Sequence, residues 1–215
     1  MNGTDQEVLE RVMRTRRSIR EFLPEPPTRD QIERAIAAAA TAPAATNKPS
    51  WKVFVIGNQG KRRAMVDLVR KRQEELATHV DGSMVAGFRS YAGMFSIFVE
   101  APVVLALIIR PLRLMSQMFE GTDGAEARQQ ARTIEDSSAQ LGAGAAVQNL
   151  LLAAHAMGLG ATVMTGPLIA EDDLRELIGF PASWRLAALI PLGIPAIVPS
   201  VPAKPTIPSL ARWLD

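Results

Sequence analysis

The stretch from Ser137 to His155, SSAQLGAGAAVQNLLLAAH, limits what this chain can fold into more than any other. It holds no lysine, arginine, aspartate, glutamate or proline; small residues fill its first half and Leu150, Leu151 and Leu152 its second. Its length and leucine–alanine content predict a helix. Gly142 and Gly144 each cost about 1 kcal/mol relative to alanine inside a helix, so the close approach of another backbone or of a flat ligand should compensate. A helix apolar on nearly all faces should be buried all round. A subunit interface buries such a helix more easily than one chain of 215 residues does, so we read it as the core helix of a dimer.

A chain of this length, with 47% apolar residues, suits a single domain spanning 1–215. The net charge of +2 argues against nucleic acid as a partner. The absence of cysteine excludes disulfides, iron–sulfur clusters, thiolate zinc sites and thiol nucleophiles. The amino-terminal stretch MNGTDQEVLERVMRTRR is polar and has no signal-peptide apolar core, and the densest apolar run, Ala101 to Ile109, is too short to span a bilayer. These features point to a soluble, cytoplasmic protein without a membrane partner.

Thr4 and Glu7 form a capping box for a first helix with an apolar stripe of Val8, Leu9, Val12 and Met13. The segment after it, Arg16-Arg17-Ser18-Ile19-Arg20, packs three arginines and a serine into five residues. Such a cluster suits a phosphate monoester, though a solvated basic turn explains it as well on local grounds. Thr28 and Gln31 open a second helix through Ala40. The loop Ala42 to Trp51 is rich in small residues and proline; it suits a close backbone approach to a flat ring, and equally an ordinary helix–strand connection. Strands are expected at Val53–Ile56, Pro102–Ile109, Ala161–Thr165 and Trp184–Leu192, and further helices at Lys61–Thr78 and Glu171–Ile178. Residues from about 81 to 136 form an excursion, with its aromatics either lining a cleft or simply packed, and the end from about 196 to 215 an extended tail. Gly158 or Gly160 stops the central helix, Gly160 being the commoner kind of signal. Glu135 and Asp136 read as helix-start charges, and His155 as structural. The residues form no evident triad and no metal cluster.

Four pieces in order resemble the FMN-dependent nitroreductase family. Arg16 to Phe22 is similar to its R-R-S-x-R-x-F opening, and Ala42 to Asn47 to its A-P-S/A-x-x-N loop. Gln148 to Ala154 followed by Gly158-Leu159-Gly160 is similar to its Q-N-L-L-L-A-A…G-L-G helix, and Pro191 to Pro195 to its P-x-G-x-P strand. The resemblance implies an α+β fold: a central, mostly antiparallel sheet flanked by helices, in an intertwined homodimer with FMN at the subunit interface. Carried over, Arg16, Arg17, Ser18 and Arg20 would hold the FMN phosphate and ribityl side. Pro43, Ala44, Ala45 and Asn47 would lie against the ring; Met164, Thr165 and Gly166 would border its other side; Lys204 would approach the phosphate from the tail. The chain departs from the family at Lys48-Pro49-Ser50, in having a single tail lysine, and in lacking a lysine or arginine from Ser96 to Ala101, so Arg20 would supply the positive charge for reduced flavin.

The implied activity is electron transfer from NAD(P)H through flavin N5 to a small unsaturated acceptor, a nitroaromatic or quinone, by a ping-pong cycle, with no catalytic side chain and no metal. Flavin fragmentation, reductive dehalogenation and non-enzymatic flavin binding stand as alternatives within the same fold.

Overall fold

The structure is a computed structural model and describes residues 4–121 and 123–214. Its centre is a four-stranded sheet in the order β1 (Trp51–Ile56), β2 (Val103–Ile109), β4 (Arg185–Gly193), β3 (Gly160–Ala161). Every neighbouring pair is antiparallel, so the expected α+β class holds, with a sheet antiparallel throughout its named strands. The expected strand after the central helix is shorter than Ala161–Thr165: β3 ends at Ala161, and Met164 rejoins the sheet only as a bridge to Leu189.

All of β2 is buried, which is why it reads as an unbroken apolar run. Val104, Ala106 and Ile108 face a core with Met65 and Val69, while Val103, Leu105, Leu107 and Ile109 face a second core with Ala35, Ala39, Ala146 and Leu150. Met65 and Val69 belong to α3 (Gln59–Ala77) and Ala35 and Ala39 to α2 (Arg29–Ala40), so helices cover both faces. Along β4 the alternation slips. Leu107 pairs with Ala188 but Ile108 with Leu186, leaving Ala187 as the extra residue of a bulge. Leu186 thereby joins Leu189 on the first face although the two stand three apart.

The capping boxes of α1 (Asp5–Thr15) and α2 form as expected. The stripe on α1 does not find a core: no residue of that helix is buried, and Val8, Leu9 and Met13 are exposed. The excursion contains α4 (Val85–Gly93) and a 3-10 stretch, Met94–Glu100. Of its aromatics, Phe95 and Phe98 are core residues and Tyr91 is exposed, so packing accounts for the first two.

The central helix, α5 (Ala125–Ala156), has 32 residues and begins well before Ser137. The residues AEARQQARTIED are good helix formers, so polarity there marks an exposed helical face and not a connecting segment. Glu135 and Asp136 therefore lie inside the helix, away from its amino-terminal dipole end. Nor is α5 buried all round within one chain: Ala139, Ala143, Ala146 and Leu150 are buried, but Leu141 is 78% exposed. The helix stops at Gly158, not Gly160. Gly158 adopts φ +78°, donating to the His155 carbonyl while Leu159 donates to that of Ala154, a Schellman ending. Two further helices follow, α6 (Glu171–Ile178) and the single turn α7 (Ile207–Leu210). Beyond Pro195 the apolar side chains Ile197, Val198, Val201, Ile207, Leu210 and Trp213 are all exposed. No helix among the described residues is long and apolar enough to cross a membrane.

Candidate functional site

The arginine segment does not dangle as a solvated turn. It runs along the β3 edge: Ile19 N–H donates to the Ala161 carbonyl, Ser18 bridges Ala161 in parallel, and Leu23 N–H donates to Ile194. Gly160 makes this docking possible, because a Cβ there would lie 2.7 Å from three carbons of Ile19. Pinned this way, Arg16, Arg17, Ser18 and Arg20 surround a cavity of about 360 Å³ with Ser200 and Lys204 of the tail.

Among the described residues no carboxylate lines that cavity, and none of their ion pairs involves its four cations. Arg17 is buried. One of its terminal nitrogens donates to the Arg14 and Arg16 carbonyls, while Nε and Nη2 have no acceptor among the described residues. Buried guanidinium N–H groups without acceptors, beside three further cations, match an anion rich in oxygen, such as a phosphate monoester. Close by, Thr15 Oγ1 lies 2.8 Å from His155 Nε2, which ties the end of α1 to α5 and supports the structural reading of that histidine. Burial and the nearby Arg16 and Arg17 charges hold the imidazole below its usual value, in the neutral form.

The proline–alanine loop lies elsewhere. Ala45–Asn47 forms a 3-10 turn with Thr46 at φ 57° and Asn47 at φ 56°, both left-handed. Asparagine tolerates this region, whereas a β-branched threonine there is strained, a feature that gathers at ligand sites. The Pro43 carbonyl comes to 3.7 Å from where a Cβ on Gly142 would stand, and Gly144 meets nothing within 4 Å. Within one chain, then, neither glycine is required by a close approach: Gly142 is in ordinary contact with Pro43, and Gly144 faces open space. Ala44 and Ala45 line a cavity of about 170 Å³, and Thr165 lines another of about 610 Å³ with Gly144, Val147 and Gln148 of α5 and the β4 bulge.

The remaining expected residues are held by the fold itself. Met164 is buried and exchanges both backbone hydrogen bonds with Leu189. Gly166 is spoken for by a side chain of the chain: a Cβ there would lie 2.2 Å from the Phe95 ring. One chain thus unites Arg16, Arg17, Ser18, Arg20 and Lys204, but opens Ala44 and Ala45 onto a second cavity and Thr165 onto a third.

The sequence reading missed Ser200, which shares the basic cavity and carries no local signal, and the role of Glu135. The Glu135 carboxylate accepts from the N–H groups of Met115 and Ser116, from the Ser116 hydroxyl and from Arg113. Burial pushes this carboxyl up, but the Ser116, Met115 and Arg113 hydrogen bonds outweigh it and leave it below the ordinary glutamate value.

The model of the Nitroreductase family matches residues 13–194. The chain belongs to the nitroreductase family. It is 29% identical over 218 residues to the iodotyrosine deiodinase of Drosophila melanogaster, covering 99% of this chain and 69% of that protein. Its fold superposes on a BluB-like flavoprotein from Clostridium difficile 630 with a TM-score of 0.87 at 22% identity, over 99% of this chain and all of the other. It also superposes on the NADPH:FMN oxidoreductase of Vibrio harveyi, complexed with NAD+, with a TM-score of 0.69 at 20% identity, over 96% of this chain and 77% of that one. These nitroreductase-family likenesses cover several named chemistries on one scaffold.

Proposed function

We propose that this nitroreductase-family chain is an FMN-dependent oxidoreductase that takes electrons from NAD(P)H and passes them to a small unsaturated acceptor, a nitroaromatic or quinone. The observation that carries the reading is the basic cavity: four cations and, among the described residues, no carboxylate and no acceptor for the buried Arg17 N–H groups. Arg16, Arg17, Ser18, Arg20 and Lys204 hold the phosphate end of the flavin. Pro43, Ala44, Ala45 and Asn47 lie against its ring, and Met164, Thr165 and Gly166 border the other side. FMN, when bound, supplies reversible hydride transfer at N5 between donor and acceptor in a ping-pong cycle. The chain's own work is to fix the phosphate electrostatically, present small residues to a flat ring, and exclude water from it.

Because one chain does not gather these residues around a single cavity, a flavin that meets all of them needs a second copy. The bare stripe of α1, Leu141 and the apolar tail are the surfaces that a homodimer covers.

The test is a visible absorption spectrum of the purified protein, followed by anaerobic mixing with NADH and with NADPH, then turnover with a nitroaromatic. A flavin spectrum, its bleaching and acceptor turnover support the reading. A colourless protein that fails to take up added FMN refutes it. The likeness to a deiodinase over 99% of the chain and to a BluB-like flavoprotein favours a second reading, reductive dehalogenation or flavin fragmentation. Flavin reduction without nitroaromatic or quinone turnover would select that one.

A further inference from the structure

Between β2 and α5 the chain leaves the sheet and residues 111–119 fold back along the long helix. Glu135 holds them there. One carboxylate oxygen accepts from Met115 N–H at 2.7 Å and Ser116 N–H at 3.1 Å, the other from the Ser116 hydroxyl at 2.7 Å, with Arg113 at 3.5 Å. Arg113 also donates to Asp136 at 2.7 Å. The Glu135 side chain is only 9% exposed, against 50% for Asp136, although both sit mid-helix. A glutamate that interrupts the sheltered side of a helix is costly unless its hydrogen bonds are filled, and here all of them go to this one segment.

The segment so held supplies Leu112, Leu114 and Met115 to the mainly apolar 170 Å³ cavity that Ala44, Ala45 and Trp51, and Glu135 itself, also line. An apolar cavity of about 150 Å³ accepts one benzene ring. We propose that Glu135 is a positioning residue for the electron acceptor: by pinning 111–119 to α5 it sets the wall of a pocket for a single neutral six-membered ring, such as a benzoquinone or a mononitrobenzene. The inference rests on the proposed placement of Ala44 and Ala45 against the flavin; the pinning itself does not.

The test compares wild type, Glu135→Ala, Glu135→Gln and Asp136→Asn. Amide hydrogen exchange of residues 112–118 is measured on the flavin-free chain, and steady-state kinetics with 1,4-benzoquinone and 2-methyl-1,4-naphthoquinone on the flavin-loaded protein. In Glu135→Ala exchange of that segment accelerates by about tenfold or more, and the KM for benzoquinone rises severalfold with kcat changed less than about twofold. Its preference for the one-ring over the two-ring quinone shrinks. Glu135→Gln, which keeps one acceptor oxygen, falls between. Asp136→Asn, which loses an exposed ion pair, stays within about twofold of wild type in both measurements. If Glu135→Ala does not fold, Ser116→Ala removes one donor and gives the same changes at smaller amplitude. Unchanged exchange in Glu135→Ala overturns the pinning. Faster exchange with unchanged KM and unchanged quinone preference overturns the acceptor role. A protein that takes up no flavin ends the functional reading and the acceptor role with it, while exchange alone still decides the pinning.

Discussion

Replacing Gly160 by alanine tests whether the fold of the sheet edge and the proposed anion site are one object. The new Cβ would stand 2.7 Å from Cβ, Cγ1 and Cγ2 of Ile19. Carbon atoms rest about 3.5–4.0 Å apart, so about 1 Å of displacement is needed. Rotation about χ1 cannot move the Ile19 Cβ, so the backbone of the arginine segment must give, although Ile19 N–H is bonded to the Ala161 carbonyl. Overpacking of this kind costs about 1–3 kcal/mol, and in a domain of this size each kcal/mol lowers Tm by about 2–4 °C. Ile19→Ala alone empties a buried site and costs about 2–5 kcal/mol. It removes Cγ1 and Cγ2 but keeps the Cβ that forces the backbone to give, so the double variant is relieved of only part of the clash and should be less destabilised than the sum by more than about 0.5 kcal/mol. Because Ser18 and Arg20 flank Ile19, Gly160→Ala should also weaken FMN binding by about tenfold or more. Gly158→Ala is the control. It strains a left-handed residue with nothing within 4 Å, costs about 1 kcal/mol, and leaves the flavin affinity alone. Thermal unfolding of the flavin-free chains at one fixed protein concentration, and FMN titration by fluorescence quenching, supply both readouts. Single-variant effects that add to within about 0.5 kcal/mol would refute the claim that Gly160 serves Ile19.

Arg16→Ala should weaken FMN binding by about 1–3 kcal/mol and the more exposed Arg20→Ala by less, read in the same titration; equal affinity in both variants and wild type counts against the phosphate site. Gly166→Ala should lower stability by about 1–3 kcal/mol even without flavin, since the Phe95 ring must move and Tyr91 packs on it edge-to-face at 5.1 Å; a flavin-free chain with wild-type Tm would show that Phe95 does not set that glycine. His155 has its imidazole held below the usual value of about 6.5 by burial and by Arg16 and Arg17, so the unfolded chain binds its proton more readily. Its contribution to stability is complete above about 6.5 and is lost as pH falls through the folded value. A phosphate group bound at Arg16 and Arg17 neutralises part of the repulsion, so an NMR titration of the His155 ring should move to higher pH on adding FMN; a midpoint that stays or falls would contradict the site.

Legibility in the sequence followed how local each signal was. β2 was plain because both of its faces are buried, leaving no polar break from Val103 to Ile109. Both capping boxes were plain because Thr4–Glu7 and Thr28–Gln31 act over three residues. The arginine cluster showed its chemistry but not its support, since the contact that distinguishes it from a solvated turn comes from Gly160, far along the chain. The uncharged run from Ser137 marks only the apolar part of α5, whereas helix propensity carries the chain from Ala125. Glu135, two residues before that run, has the sequence signature of a dipole charge; its partners Met115 and Ser116 are set by a fold-back that no period in the sequence encodes. Gly166 shows the same limit: nothing local discloses that the Phe95 ring already requires a glycine at a position the motif resemblance places beside the flavin. Gly142 and Gly144 are the opposite case, since nothing in the chain's own packing demands them, so their cost of about 1 kcal/mol each must be offset from outside the single chain. On the proposed reading, the offset comes from a second copy and the flavin held between the two.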